Sequence, residues 1–351
     1  MRWGPVIVVT GAIGCATAIG VACLPNYEFG AASGSEAGAA DDGSVVGDAP
    51  TDGSGPGLDA SADGTSPPFD AAGTARLDPT PDGGGFSFRI DRSGGGSSVT
   101  MGTLTYPFAI DKLEVTVGRY RYWLDHGHAI PCDGCSLDPA GPYATVMKWH
   151  DTWNLALAPP IGDCSGGPAF YGPPSTLTAG FPDLPVTCVT WYDAAAFCAS
   201  EGKRLPTELE WMFAVTSRGK NMYFPWTFEG TPALDCGHLI FDKDGDASTP
   251  GGNCGFLTAG PAVLGGTEQG VLDMSGRVFE WIWDIGDTFP DLPPPNYAGP
   301  DGFGNSLPRI RRGGSFNSDS NDSRLENWYR ETGFAGTEPY GDLGFRCAKS
   351  L

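Results

Sequence analysis

Positive charge is what this 351-residue chain has least of. Lys and Arg number 21 against 42 Asp and Glu, a formal net charge of −21. No basic stripe runs along any segment, which excludes nucleic acid as a partner. Histidine is scarce as well, with four residues at 126, 128, 150 and 238, and no H-x3-H-x-E pattern joins them. Their one cluster, Asp125-His-Gly-His128, falls at a helix end and reads as a solvated cap whose charge suits a helix C-terminus. No Gly-x-Ser-x-Gly is present, which argues against a hydrolase nucleophile elbow. No phosphate-cradling glycine loop leads from a strand into a helix, and no internal repeat is visible. Long apolar runs are missing too. The only one, Pro5 to Val21, is short and broken by Gly11, Gly14 and Gly20, unlike a membrane span.

That same run, preceded by Arg2 and followed by small residues, has the shape of an export signal over residues 1–22. Gly20-Val-Ala-Cys23 resembles a bacterial lipobox, with Cys23 as the lipidation site; Cys15, in Ala12-Ile-Gly-Cys15, is the alternative. The expected location is therefore the cell envelope, periplasm or cell surface, with a lipid anchor as the only membrane contact. Residues 23–84 are Gly, Ala, Ser, Pro and Asp, with Arg76 as their single base. Such a composition buries too little apolar surface to offset chain entropy, so it reads as an extended acidic linker. It carries about half of the excess negative charge, a solubility feature.

From residue 85 the chain changes character. Phe86-Ser-Phe-Arg-Ile90 alternates like a strand, and Tyr106-Pro-Phe-Ala-Ile110 is a second apolar stretch. Thr116 is placed as an N-cap ahead of Val117, Tyr120 and Leu124 at helical spacing, with Gly127 ending that helix. Thr190 with Asp193, and Thr207 with Glu210, each have the spacing of a capping box. Gly202 closes the first of those two helices. With 53 Gly, 31 Pro and 10 Trp, the remainder reads as loop-rich, with aromatic clusters fixing irregular backbone.

Beyond the signal, and with Cys23 set aside, eight cysteines remain: 132, 135, 164, 188, 198, 236, 254 and 347. An even number in an exported chain points to disulfides. Proximity suggests Cys236 with Cys254 and Cys164 with Cys188, and a local pair for Cys132 and Cys135. A redox or metal role for that CxxC is the alternative, weakened by the lack of a βαβ pattern and of a second CxxC.

Four stretches, Gly202-Lys-Arg-Leu-Pro-Thr-Glu-Leu-Glu-Trp211, Asp273-Met-Ser-Gly-Arg-Val-Phe-Glu-Trp281, Arg312-Gly-Gly-Ser-Phe316 and Gly344-Phe-Arg-Cys-Ala348, occur in this order over about 150 residues. Together they resemble the formylglycine-generating enzymes, or sulfatase-modifying factors. The resemblance implies an α+β fold related to C-type-lectin-like domains, low in regular secondary structure and stabilised by disulfides, over residues 85–351. It implies a Cys198–Cys347 bridge. A second family bridge has no counterpart, because Val215 occupies one end and the segment before Glu331 lacks the other cysteine. It also implies where copper would sit. The two copper-binding cysteines of that family correspond to Ser318 and Ser323, and a protonated hydroxyl is a poor ligand for soft Cu(I). Copper is therefore not expected. The acids and amides between them, Asn317, Asp319, Asn321 and Asp322, suit a hard cation better.

By the same resemblance, Asp273, Gly276, Val278 and Glu280 correspond to a structural calcium loop, with Phe279 and Trp281 facing the core. Asp242-Lys-Asp-Gly-Asp246 is a weaker calcium-like turn, its glycine two places early for an EF-hand. The expectation is a calcium-stabilised, non-oxidase module that binds a peptide, protein or glycan. The competing expectation is an oxidoreductase of the formylglycine-generating type, or a non-haem iron oxygenase, using another ligand set.

Overall fold

The computed structural model describes residues 73–79, 84–91, 97–157, 181–227, 232, 234–242, 254, 260–286, 289–299, 307–321 and 323–351. The export signal, Cys15, Cys23, Cys164 and all of the linker before residue 73 lie outside them. Every described residue falls in the unit Ala62–Leu351.

The elements are short, as the Gly and Pro content requires. Strands β1 (Thr74–Leu77), β2 (Phe86–Asp91), β3 (Ser97–Gly102) and β4 (Phe108–Asp111) come first, followed by helix α1 (Val117–Asp125). After them come α2 (Trp191–Ser200), α3 (Glu208–Val215), β5 (Phe279–Ile285), β6 (Pro308–Arg312), β7 (Glu331–Ala335), β8 (Leu343–Gly344) and β9 (Ala348–Ser350). They form a sheet β1-β4-β9, a hairpin β2-β3 and a sheet β7-β6-β5-β8 in which β5 and β8 run parallel.

Strand β1 corrects the linker boundary. Residues 74–77 were expected to be linker, yet they pair antiparallel with β4, and Ala75 and Leu77 are buried. Two alternate apolar side chains suffice for a four-residue strand when a partner edge is available. So small a signal disappears against the Gly- and Asp-rich sequence around it.

The three helices start where their caps place them. Thr116 accepts from the Arg119 N–H, and reciprocal boxes join Thr190 to Asp193 and Thr207 to Glu210. Each cap satisfies an amide that would otherwise be orphaned, worth about 1 kcal/mol. Gly127 and Gly202 follow α1 and α2 at φ 98° and 67°, a backbone that only glycine adopts without strain.

The helices divide two apolar cores. One packs α1 and α2 with Trp149, Trp153, Trp281 and Trp283; the other packs α3 with Phe86, Phe88 and Phe108. Cys198 on α2 is bonded to Cys347, just ahead of β9, across 149 residues. Cys132 is bonded to Cys135 and Cys236 to Cys254. Cys188 is also disulfide-bonded.

Candidate functional site

Strand β6 runs into a turn at Gly313 and Gly314, whose φ values are 96° and 73°. A Cβ at Gly314 would lie 2.8 Å from the Arg324 carbonyl oxygen, so glycine is required there for space as well as conformation. The turn buries Ser315, whose hydroxyl donates to Asp342 Oδ2 at 2.9 Å. The Ser315 N–H donates to Ser318 Oγ at 3.2 Å, and the Ser318 carbonyl accepts from the Asp242 N–H at 2.8 Å. Ser318 is buried, while Ser323 is half-buried at the start of a 3-10 turn, Ser323–Leu325.

This segment does not fit copper. Ser318 Oγ serves as a turn acceptor, and a neutral hydroxyl is a hard, weak ligand for a soft monovalent ion. Thiolates from elsewhere do not make up the loss among the described residues, because all seven described cysteines, 132, 135, 188, 198, 236, 254 and 347, are in disulfides.

Beside the turn, Arg311 is held in an aromatic cage. Its guanidinium carbon lies 4.1 Å from the Phe279 ring centroid and 3.9 Å from that of Phe334. It also pairs with Glu331 at 2.7 Å. One position further along β6, Arg312 points to the opposite face and meets the Glu208 carboxylate, which Arg330 also engages at 2.9 Å. Burial alone would raise the Glu208 pKa; Arg312 and Arg330 outweigh it and hold the carboxyl below its ordinary value.

The segment expected to hold calcium lies against this turn. The Gly276 N–H donates to the Gly313 carbonyl at 2.7 Å, and Gly276 itself sits at φ 78°, where a Cβ would approach the Ile240 carbonyl oxygen to 2.4 Å. Phe279 and Trp281 are buried in the core, as expected. The two carboxylates, however, are committed to protein donors. Glu280 accepts from Arg346 Nε at 2.8 Å and Nη2 at 2.6 Å, and from Trp211 Nε1 at 2.9 Å. Asp273 accepts from the Ala262 N–H at 2.9 Å and Arg277 Nη1 at 3.2 Å. Both carboxylates thus have guanidinium and N–H partners in this arrangement. Of the weaker calcium-like turn, Asp242 is buried and bridged to Asp319, and Lys243 to Asp246 lie outside the described residues.

Glu114 was not anticipated. It is buried, its Oε1 has no hydrogen-bond partner, and burial together with nearby Asp273 pushes its pKa to about 8. Only its place between two apolar residues hinted at burial in the sequence.

A sulfatase-modifying factor enzyme 1-like domain model matches residues 81–351. The chain belongs to the sulfatase-modifying factor family. It is 31% identical over 287 residues to the inactive C-alpha-formylglycine-generating enzyme 2 of Bos taurus, covering 76% of this chain and 85% of that protein. It is 28% identical over 268 residues to the formylglycine-generating enzyme of Streptomyces coelicolor, covering 69% and 78%. It also matches the serine/threonine-protein kinase pkn1 of Chlamydia pneumoniae, 30% identical over 50% of this chain but spanning only 25% of the kinase. Among solved structures, PvdO from Pseudomonas aeruginosa superposes with a TM-score of 0.52 at 20% identity, covering 81% of this chain and 96% of that one. That likeness is one of fold.

Proposed function

We propose that this sulfatase-modifying-factor domain is a non-oxidase binding module, exported and anchored to the bacterial cell envelope by a lipid on Cys23. The observation that carries the reading is chemical. Hydroxyls of Ser318 and Ser323 stand where the family's copper thiolates would be, and every described cysteine is bonded to another. Without a soft ligand pair, oxidation of a peptide thiol has no metal to bind it. The relative from Bos taurus that matches 76% of this chain carries the word inactive in its name, which is consistent with the domain persisting without its chemistry. Export is supported by the signal-like residues 1–22 and by the disulfides, which persist in oxidising compartments.

The Glu280–Arg346 pairing supports a source of stability other than an ion. The segment Asp273–Glu280 is proposed to be held by guanidinium groups and disulfides, with no calcium requirement. The bound partner is proposed to be a peptide, protein or glycan.

The test uses the purified protein incubated with Cu(I), oxygen and a Cys-x-Pro-x-Arg peptide. Neither stoichiometric copper nor aldehyde product is expected. Copper at one per chain with turnover of the peptide would make the domain a working oxidase. Mass spectrometry of the mature N-terminus checks the anchor, with a diacylglyceryl thioether on Cys23 as the expected modification.

A further inference from the structure

Among the three bridges with both ends described, Cys132–Cys135 closes the smallest ring. Its cysteines are 3 residues apart, against 18 for Cys236–Cys254 and 149 for Cys198–Cys347. Cys132 is exposed and Cys135 half-buried, whereas Cys198 and Cys347 are both fully buried. A thiolate from solution can therefore reach the short bridge in the folded chain, and the long one only after the core opens. The entropy that a bridge withholds from the unfolded chain grows with ring size, so opening the short ring takes the least stability from the fold.

Backbone hydrogen bonds hold the two cysteines side by side without help from sulfur. The Cys135 N–H donates to the Cys132 carbonyl at 3.0 Å, closing a turn with Gly134 at φ 69°. The Gly134 N–H donates to the Trp149 carbonyl at 2.8 Å, the Trp149 N–H to the Cys135 carbonyl at 3.0 Å, and the Leu137 N–H to the Met147 carbonyl at 2.8 Å. The Asp151 N–H donates to Asp133 Oδ1 at 3.1 Å. Met147 and Trp149 are fully buried in the core that packs α1 and α2. The segment carrying the two cysteines is thus pinned to that core by its backbone and keeps its shape with the sulfurs apart. No helix starts at Cys132 among the described residues, so the helix N-terminus that makes a CxxC cysteine a strong nucleophile is missing. That leaves the pair the role of electron acceptor.

We infer that Cys132–Cys135 is a thiol–disulfide exchange site, opened by a dithiol while the domain stays folded. One thiolate of the dithiol attacks Cys132 Sγ; the Cys132–Cys135 bond breaks, and Cys135 leaves as a thiolate that takes up a proton. The second thiol of the dithiol, giving up its proton, attacks the first in the mixed disulfide and releases Cys132, which is protonated in turn. Two electrons pass to the bridge, and the dithiol becomes a disulfide. A monothiol does not complete the reaction, because Cys135, held 3 residues away, expels it from Cys132 and recloses the ring. The inference does not depend on the domain lacking oxidase activity, since no residue of the Ser315–Ser323 segment takes part.

The test incubates the full chain with dithiothreitol, reduced thioredoxin or reduced glutathione at equal thiol concentration. Iodoacetamide quenches the reaction, mass spectrometry maps the alkylated cysteines, and near-UV circular dichroism follows tertiary structure. Cys132 and Cys135 are expected to be alkylated at least about tenfold faster than Cys198 and Cys347, with the spectrum kept. Glutathione should open the pair about tenfold less than dithiothreitol. Faster opening by thioredoxin than by dithiothreitol identifies a protein as the source of the dithiol, and the reverse a small molecule. In Cys135→Ser, Cys132 should take up glutathione from its oxidised form; in Cys132→Ser, the half-buried Cys135 should do so several-fold more slowly. Opening no faster than at Cys198–Cys347, a spectrum lost as the pair opens, glutathione as effective as dithiothreitol, or equal uptake by the two variants would each overturn the assignment.

Discussion

Of the three buried arginines on strand β6, Arg309 and Arg312 lie three residues apart and have opposite surroundings. Arg312 shares the Glu208 carboxylate with Arg330 and donates to the Tyr329 carbonyl at 2.7 Å. Arg309 donates to the Trp283 carbonyl, lies over the Trp191 face, has Tyr192 as a hydrogen-bonding neighbour and makes no ion pair among the described residues. A buried cation with its counter-charge is part of the frame, and removing the partner strands it. A buried cation without one bears a desolvation cost that an apolar side chain of similar size would not. Burial drives the Arg309 pKa down to about 10, with Tyr192 and Asp284 opposing it; the group stays charged at neutral pH. What surrounds each of these neighbours, more than residue type, sets what its loss costs.

The largest test of that comparison is Glu208→Gln. It leaves Arg312 and Arg330 without a carboxylate in the interior and is expected to cost about 3–5 kcal/mol of unfolding free energy, read from urea denaturation. Arg309→Met should cost much less, about 1 kcal/mol or nothing, because it removes a charge that lacks a full partner. Equal losses from the two variants would mean that Arg309 is as much a part of the frame as Arg312.

Local and distant pairings differ in how far the sequence reveals them. Thr190 with Asp193 and Thr207 with Glu210 are three residues apart, so spacing alone places both helix starts. Glu280 finds Arg346 66 residues away, and Glu208 finds Arg312 104 residues away. Nothing in a linear pattern says which arginine answers which acid, and the acids of Asp273–Glu280 therefore looked like cation ligands when they are partners of guanidinium groups. The pairing of Cys198 with Cys347 rested on family resemblance for the same reason. So did the significance of Ser318 and Ser323, two ordinary serines until the position of a thiolate pair is known. Proximity placed the Cys236–Cys254 bridge, because 18 residues of separation make a short loop.

An intermediate effect comes from Glu114, a buried carboxyl that makes no ion pair among the described residues and that Arg346 and Arg277 compensate only in part. Its pKa is 4.5 in an ordinary setting and about 8 when folded, through burial first and then the Asp273 charge. Between those values the folded chain holds the extra proton. Its contribution to stability is thus full below pH 4.5 and is lost as pH rises through about 8. Glu114→Gln keeps a neutral group there at every pH. The variant is expected to gain about 1–3 kcal/mol over the parent at pH 8 and little at pH 5, measured by denaturation at both values. A parent whose stability is flat across this window would place Glu114 among the fully compensated charges, beside Glu208.

The smallest expected effect is that of chelation, and it separates two ways of holding the Asp273–Glu280 segment. If guanidinium groups hold it, as the 2.6 Å Arg346–Glu280 contact indicates, EDTA removes nothing that the fold uses. The melting temperature should then move by less than about 1 °C, since a ligand present at a hundred times its dissociation constant contributes about 2.7 kcal/mol and its removal could not pass unseen. Arg346→Met supplies the reciprocal measurement. It frees Glu280 inside the core, should destabilise the protein by about 3–5 kcal/mol, and leaves Asp273 and Glu280 as acids open to a cation. Added calcium should recover part of that loss in the variant and none in the parent. A parent that melts earlier in EDTA and is restored by calcium would instead assign the segment to the ion, with Arg346 as a bystander to it.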